Sequence, residues 1–295
     1  MISRRRFIAL AASAACVPGA GQAHSRWSGI ALGAEAQITL TGPRDIVQPM
    51  LDQALQEIDR LEDIFSLYRP RSELVRLNTV GRSRHVSVEM RALLEDCDRL
   101  HRLTGGMFDP TVQPLWLAHA RGGDLAAAQK AVGWHRLRRD PNGIMLGDGQ
   151  ALTLNGIAQG FVTDRISDLL RAEGFDSQLV SIGEAKGDGG PWTVAVQDPV
   201  QGEVARRTLR NSAIATSSPG ALSLGATSHI LGPTSNDAPR WSTVSVEADS
   251  ATVADGLSTA LCLVTTAEAK EIAAALPELR RITLVDVEGD LITLT

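Results

Sequence analysis

The sequence predicts a mixed α/β fold with α+β character, because predicted strands and helices are interspersed and several strands are linked as hairpins. That arrangement argues against a doubly wound parallel sheet, in which a crossover helix separates successive strands. Of the 295 residues, 43% are hydrophobic and 21% are charged. This is an ordinary composition for a globular protein with a substantial core.

Apolar spacing and turn residues define the elements of the amino-terminal half. In chain order, the predicted elements are a strand over residues 34–41, a helix over 45–65, a helix from the N-cap Ser87 to a stop at Gly105-Gly106, a short Ala-rich helix over 124–132, and a hairpin over 136–146 that breaks at Pro141-Asn142-Gly143.

The carboxy-terminal half follows the same rules. Its predicted elements are a helix over residues 157–173 ended by Gly174, strands near 178–182, 192–197, 213–216 and 243–246, helices over 252–264 and 267–274, and a terminal hairpin that turns at Glu288-Gly289.

Residues 1–23 have the pattern of an export signal. Ser3-Arg4-Arg5-Arg6-Phe7-Ile8 places paired arginines before x-Phe-Ile, as twin-arginine signals do. An apolar stretch follows that is too short to remain as a membrane-spanning helix, and Gly21-Gln22-Ala23 offers small residues for cleavage. We therefore expect a twin-arginine signal peptide over 1–23, a folded domain over 24–295 and a periplasmic location after export in the folded state. An ordinary secretory signal with incidental arginines is the alternative.

The charge balance excludes two classes of partner. The chain has 29 basic and 34 acidic residues, and loss of residues 1–23 removes arginines but no acid. Proteins that bind nucleic acids or membrane surfaces usually present a basic face. We therefore expect no nucleic-acid binding and no role at a membrane surface. We also expect no stable membrane insertion of the mature chain. Beyond residue 23 the cysteines are Cys97 and Cys262, which lie in apolar helix patterns and are predicted to be buried thiols.

Residues 152–161 run from a predicted strand through Asn155 and Gly156 into a helix. Asn155 is a candidate helix cap, and Gly156 lets a ligand approach the backbone closely. Unpaired N–H groups and the helix dipole would then favour an anion such as phosphate. An ordinary strand-to-helix turn is the alternative, since neither a Walker A loop nor a Gly-x-Gly-x-x-Gly pattern is present.

Asp255 and Thr259 are four residues apart in a predicted helix and therefore share one face. A carboxylate and a hydroxyl are hard oxygen ligands that suit Mg²⁺. The alternative is that Asp255 simply stabilises the start of its helix.

His229 is the histidine in the most site-like context, between a run of small residues and Gly232-Pro233. A structural histidine is the alternative interpretation. The six histidines show no zinc-type spacing, and no Gly-x-Ser-x-Gly elbow indicates a serine hydrolase.

Five segments, taken in their order, resemble the FAD:protein FMN transferase (ApbE) family. They are Ser66-Leu67-Tyr68-Arg69-Pro70-Arg71-Ser72-Glu73-Leu74 with Leu77-Asn78, then Gly106-Met107-Phe108-Asp109-Pro110-Thr111-Val112-Gln113-Pro114-Leu115-Trp116, residues 152–161, Ser228-His229-Ile230, and Ala254-Asp255-Gly256-Leu257-Ser258-Thr259-Ala260-Leu261. The resemblance runs from about residue 28 to the carboxy terminus. Residues 152–161 are most similar to an exported branch that includes accessory flavoproteins of nitrous oxide reductase.

The resemblance implies a two-lobed structure of mixed sheets flanked by helices, with FAD held in the cleft between the lobes. It implies a Mg²⁺-dependent transferase that attaches FMN from FAD to a Thr or Ser of a target protein and releases AMP. For an exported member, the expected partner is a periplasmic or membrane-anchored target flavoprotein.

The resemblance also implies site residues. The catalytic residues would be His229 and Asp255, and Mg²⁺ would be held by Asp255, Thr259 and the carbonyl of Gly156. Flavin or nucleotide contacts would come from Leu32, Tyr68, Met107, Phe108, Asp109, Thr153, Gln159, His229 and Ser258. Tyr68, the single tyrosine of the chain, is expected to contact the flavin nucleotide.

Four positions differ from the commoner pattern of the family. Thr153 replaces an Asp, Gln159 replaces a Lys, Gly232 replaces an acidic residue, and Gly183 is followed by Glu184 where a second Gly is frequent. The first three motivate an alternative function, a non-catalytic FAD-binding accessory flavoprotein for assembly of a periplasmic redox system.

Overall fold

The structure, a computed structural model, describes residues 24–234 and 237–295, so the expected signal peptide lies outside the described residues. Within that part of the chain the strands are β1 (His24–Ala31), β2 (Ala34–Thr41), β3 (Arg82–Ser83), β4 (Arg138–Asp140), β5 (Gly143–Met145), β6 (Gln178–Ile182), β7 (Glu184–Asp188), β8 (Trp192–Asp198), β9 (Gly202–Leu209), β10 (Ser212–Ser217), β11 (Ser223–Leu224), β12 (Thr227–Ser228), β13 (Thr243–Ala248), β14 (Leu279–Val285) and β15 (Leu291–Leu294).

The α-helices of the described residues are α1 (Arg44–Phe65), α2 (Glu73–Val80), α3 (Val88–Leu103), α4 (Gln113–Arg121), α5 (Leu125–Ala131), α6 (Ala158–Ala172), α7 (Ala251–Leu261) and α8 (Thr266–Ala274). Short 3-10 helices lie between some of them.

An eight-stranded sheet forms the centre of the fold, in the order β1-β2-β6-β7-β10-β13-β14-β15. Every neighbouring pair in it is antiparallel. Several neighbours are consecutive hairpins, and helices occupy the longer connections. The predicted mixed class with α+β character is confirmed.

The two faces of this sheet carry different layers, because successive side chains of a strand point to opposite faces. On one face, Ile38, Val180 and Val246 join the large core formed with the helices. On the other, Leu179 and Ile214 join a smaller core under the β8–β9 hairpin, around Trp192, Val194, Val196 and Leu209.

Close packing of α6 on α7 positions the candidate site. A Cβ added at Gly160 would lie 2.2 Å from the carbonyl oxygen of Ala251, so only glycine permits this approach. The contact brings the first turn of α6 against the face of α7 that carries Asp255.

The predicted elements all occur with small shifts of their ends, but several segments were not predicted. These are β1, β3, β7, β9, β11, β12, α2 and α4. The strand β7 is instructive, since Glu184-Ala185-Lys186-Gly187-Asp188 has the composition of a loop, yet all five residues are buried. The predicted buried thiols, Cys97 and Cys262, are confirmed as free and buried. Among the described helices, none has the length and apolar character needed to cross a bilayer.

Candidate functional site

A cavity of about 590 Å³ opens between the β1–β2 turn, the segments that precede α6 and follow α3, and helix α7. It collects residues that are distant in the sequence. The predicted site residues that line it are Leu32, Tyr68, Met107, Phe108, Asp109, Thr153, Gly156, Gln159, His229, Asp255 and Thr259.

Ser258, predicted to contact the cofactor, lies behind the cavity wall. It is fully buried, and its hydroxyl donates to the carbonyl of Asp255 over 3.0 Å. Its Oγ is also 2.8 Å from the hydroxyl of Ser217, which does line the cavity. Helical geometry explains this placement, because Ser258 and Thr259 are adjacent and therefore point about 100° apart around α7.

The Asp255 carboxylate lies at the start of a helix that is not its own. Its Oδ2 accepts a hydrogen bond from the backbone N–H of Gly160, in the first turn of α6, over 2.9 Å. Only 3% of the residue is exposed. Burial raises the pKa of Asp255 to about 7, and the Gly160 N–H opposes that shift. The N–H group of Gly160 at the start of α6, where the sequence predicts an anion such as phosphate, is thus occupied by the carboxyl group of Asp255.

The prediction that Asn155 caps α6 is wrong. The N-cap residue is Ile157, and it makes no side-chain capping bond. The side chain of Asn155 instead hydrogen-bonds Tyr68, because the chain turns once more between Asn155 and the helix. The pair links the segment after α1 to the segment before α6.

The residues predicted to hold Mg²⁺ fit a small oxygen-bound cation. A Cβ added at Gly156 would lie 2.9 Å from the hydroxyl oxygen of Thr259, so the Gly156 backbone lies close to that hydroxyl. One helical turn earlier, Asp255 adds a carboxylate on the same face of α7. A carboxylate, a hydroxyl and a carbonyl are hard donors of the kind that Mg²⁺ prefers.

Sequence reasoning missed Glu184 as a site residue. It is the first residue of β7, is 7% exposed and lines the cavity. Its Oε2 accepts from the backbone N–H of Thr216 over 3.1 Å. Burial, followed by the negative charge of Asp255, raises the pKa of Glu184 well above its usual range. A carboxylate directly after a buried strand and Gly183 was the signal available in the sequence.

The cavity wall is strongly acidic. Its charged residues, within the described ranges 24–234 and 237–295, are Asp109, Glu184, Asp198 and Asp255, with no Lys or Arg. Asp109 is engaged locally, since its Oδ1 accepts from the N–H and hydroxyl of Thr111 over 2.8 and 2.6 Å. Asp198 accepts from the hydroxyls of Ser242 and Thr243. Asp255 and Glu184 are the two acidic residues of the wall whose carboxyl groups have no such hydroxyl partner among the described residues.

His229 is half-buried in the wall and has a defined tautomer. Its Nδ1 is 3.1 Å from the carbonyl oxygen of Leu222, which can only accept, so Nδ1 carries the proton. The lone pair of the neutral ring is then on Nε2. Burial lowers the pKa of His229, although the carbonyls of Leu222 and Pro219 favour the charged form. The neutral ring therefore predominates at pH 7.

Leu32 lines the cavity from a two-residue hairpin turn between β1 and β2. Leu32 and Gly33 have φ of 50° and 80°, the left-handed values of a type I′ turn. The backbone N–H of Leu32 donates to a carboxylate oxygen of Glu62 on α1. An apolar side chain is thus held in a conformation that usually belongs to Gly or Asn.

Thr153 lies before the turn that leads into α6, and Gln159 is the second residue of that helix. The Thr153 hydroxyl accepts from the N–H of Asn155 over 3.3 Å. The Gln159 carboxamide lies over Gly183, where an added Cβ would be 2.6 Å from its Cδ. Gly183, at φ 79°, provides the space for this contact.

The chain is similar to one family of known proteins by each comparison. Residues 32–283 match the model of the ApbE family. A curated FAD:protein FMN transferase of Vibrio cholerae is 30% identical over 173 residues, which are 52% of this chain and 51% of that protein. One from Chlamydia muridarum is 32% identical over 130 residues, 38% and 41% of the two chains. The chain thus spans about half the length, or less, of these curated relatives.

Solved structures show that the fold is shared. The flavin transferase ApbE from Vibrio cholerae has a TM-score of 0.80 at 24% identity, covering 93% of this chain and 97% of that one. The ApbE protein from Thermotoga maritima has a TM-score of 0.81 at 23% identity, covering 92% and 96%. Since the family match extends over most of the sequence, through every segment that carries the resemblance, the chain belongs to the ApbE family.

Proposed function

We propose that this protein is a Mg²⁺-dependent FAD:protein FMN transferase of the periplasm, which attaches FMN to a Thr or Ser of a target protein and releases AMP. Its similarity to curated proteins of that name supports the activity. The structural observation that carries the proposal is the cavity in which Asp255, Thr259, Gly156 and His229 meet.

The cavity has the size and lining of a nucleotide site that works with a cation. Its volume of about 590 Å³ is within the usual range for small-molecule sites. A pyrophosphate is negatively charged, and the cavity offers it acids and no Lys or Arg among the described residues. Mg²⁺ held by Asp255, Thr259 and the Gly156 carbonyl would neutralise the pyrophosphate and the charge that develops as it is cleaved.

His229 suits the role of general base. The oxygen of the target hydroxyl attacks the phosphorus of the FMN half, so that a new phosphorus–oxygen bond forms and the bond to AMP breaks. The hydroxyl proton needs an acceptor, and Nε2 of neutral His229 carries a lone pair while Leu222 fixes the ring through Nδ1. Tyr68 and Leu32 would pack against the flavin nucleotide at the cavity rim.

Export is part of the proposal. The twin-arginine pattern in residues 1–23 supports transport of a folded protein to the periplasm. A target flavoprotein in that compartment, soluble or membrane-anchored, is the corresponding partner.

Covalent transfer tests the activity directly. The purified protein is incubated with FAD, Mg²⁺ and a target fragment that carries an Asp-x-x-Ser/Thr-Gly-Ala-Ser/Thr motif, and the fragment is analysed by mass spectrometry. We expect one FMN on the fragment and AMP in solution, with no product when FMN replaces FAD or when a chelator is present. A fragment that stays unmodified at saturating FAD contradicts the proposal.

The accessory-flavoprotein alternative makes a different prediction. Thr153 and Gln159 line the cavity without a charge where the commoner family pattern has Asp and Lys. If the protein only stores flavin, it retains FAD without releasing AMP, and His229→Ala changes nothing that can be measured beyond the affinity for FAD.

A further inference from the structure

Glu184 and Asp255 form a pair of buried carboxylates with the same hydrogen-bonding arrangement. Each accepts one backbone N–H on one oxygen, from Thr216 over 3.1 Å and from Gly160 over 2.9 Å respectively. Within residues 24–234 and 237–295, the second oxygen of each has no hydrogen-bond donor. Both residues are more than nine-tenths buried, and both line the cavity.

The described residues provide no positive charge to either carboxylate. Neither forms an ion pair with a Lys, Arg or His among them. Lys186, two residues further along β7, is committed to Asp164, with 2.7 Å between Nζ and Oδ1. Two buried carboxyl groups that face one cavity without a counter-charge are costly to ionise together, and a bound cation would allow both to be ionised there.

We propose that Glu184 is a second carboxylate of the Mg²⁺ site, which acts together with Asp255 to hold the cation in this chain. The inference rests on the proposed Mg²⁺ dependence of the transferase. The two carboxylates approach the cavity from different elements, β7 and α7, and the hydroxyl of Thr259 lies one helical turn from Asp255. The cation would thereby join the central sheet to helix α7.

A purely structural role for Glu184 is less consistent with its surroundings. Its single hydrogen bond, to the Thr216 N–H, is one that a neutral glutamine can also accept. A strand that needed only this bond would not require an ionisable side chain beside Asp255. An acidic side chain at this position, with one oxygen free to face the cavity, therefore favours a bound cation over support of the strand.

Binding of Mg²⁺ alone to the purified full chain, measured by isothermal titration calorimetry without FAD, tests the inference. We expect Glu184→Gln to weaken the affinity for Mg²⁺ by about 10- to 100-fold. Its melting temperature in a chelator should equal or exceed that of the unsubstituted protein, because glutamine can accept the same Thr216 N–H and cannot ionise beside Asp255. Glu184→Asp, which keeps the charge on a shorter side chain, should bind with intermediate affinity.

Glu247→Gln is the matched control. Glu247 is a partly buried strand glutamate that accepts a hydrogen bond from Ser212 over 3.2 Å and does not line the cavity. It should leave Mg²⁺ affinity unchanged.

Two results overturn the inference in distinguishable ways. If Asp255→Asn abolishes Mg²⁺ binding while Glu184→Gln binds as the unsubstituted protein does, Glu184 is not part of the site and the proposed function stands. If the unsubstituted protein binds no Mg²⁺, the proposed Mg²⁺ dependence fails together with the inference. Should Glu184→Gln melt well below the unsubstituted protein in a chelator, Glu184 supports the strand and the inference is also wrong.

Discussion

Asp255 combines two roles that usually belong to different residues. It stabilises the start of α6 through the Gly160 N–H, and it presents a carboxylate to the cavity. Burial raises its pKa to about 7, so without a cation a proton is retained on it in mildly acidic solution. Its titration therefore links the stability of the metal-free protein to pH.

Because the folded-state pKa of Asp255 lies above the ordinary value of 3.8, the folded protein holds this proton more tightly than the unfolded chain. The stabilisation is present at low pH and is lost as the pH rises towards about 7. In a chelator, the contribution of Asp255 to the free energy of unfolding should fall by roughly 1 kcal/mol per pH unit between pH 5 and 7.

Asp255→Asn should remove this pH-dependent contribution to the free energy of unfolding. Urea unfolding of the two proteins at pH 5, 6 and 7 in a chelator measures the difference. His229 contributes the opposite trend over part of the range, but it is common to both proteins, so their difference reports Asp255 together with its effect on the neighbouring Glu184. Parallel pH profiles for the two proteins would contradict the prediction.

Tyr68 should contribute to the affinity for FAD rather than to the stability of the fold. The residue is 43% exposed at the cavity rim, and the side chain of Asn155 hydrogen-bonds it. Tyr68→Ala should weaken FAD binding by about fivefold, since one aromatic contact is worth roughly 1 kcal/mol. Fluorescence titration with FAD measures the affinity, and circular dichroism checks the fold. Tyr68→Phe keeps the ring and should lose less; equal losses in both variants would assign the effect to the hydroxyl.

At the scale of elements, β7 and α7 are joined by one buried carboxylate. Asp164, on α6, pairs with Lys186 of β7 over 2.7 Å. The same carboxylate accepts from the N–H groups of Ala251 and Thr252 at the start of α7 over 3.0 and 2.9 Å. Burial alone would raise the pKa of Asp164, but Lys186 and these donors lower it overall. Three elements that surround the cavity are thereby fixed together.

Asp164→Ala should therefore destabilise the fold by about 3–5 kcal/mol, because it leaves the buried Lys186 unpaired and the start of α7 without its acceptor. Urea unfolding measures the change. Asp168→Ala is the control on the same helix, since Asp168 is exposed and its pair with Arg171 should contribute less than about 1 kcal/mol. Similar losses in the two variants would show that the Asp164 contacts do not stabilise the fold as described.

Helices and strands could be predicted from the sequence where the spacing of apolar residues within the segment itself reveals them. The helix predicted over residues 45–65 is α1, and the hairpin predicted over 136–146 is β4–β5. β7 escaped prediction because its charged residues are satisfied only by distant partners, Lys186 by Asp164 and Asp188 by Ser167. The edge strand β1 was missed because its burial alternates weakly, with one face open to solvent.

At the scale of the whole molecule, the antiparallel sheet determines which residues share the cavity. β6, β7 and β10 are neighbours, so the ends of these strands bring Gly183, Glu184 and Ser217 to one place. Helix α7 packs beside β10 and β13, which adds Asp255 and Thr259 from above the sheet. A ligand in this cavity would therefore contact both the central sheet and helix α7.

Binding of FAD with Mg²⁺ should consequently stabilise the entire protein. At a ligand concentration about 100 times its Kd, the free energy of unfolding should rise by about 2.7 kcal/mol. Calorimetric melting with FAD, with Mg²⁺, and with both measures the effect, and the increase with both should exceed the increase with FAD alone. A chelator should remove the additional increase, whereas insensitivity to Mg²⁺ would contradict a joint site.

By itself, the sequence determined the long helices, the hairpins, the family resemblance and the placement of Asp255 and Thr259 on one helical face. These depend on residues that are close together in the chain, so spacing is sufficient to reveal them. Only the tertiary structure decided that Asp255 stabilises the start of α6, that Asn155 meets Tyr68, that Ser258 lies behind the wall and that Glu184 faces the cavity. These contacts join segments far apart in the chain, and burial and hydrogen bonding select them only once the sheet and helices have packed.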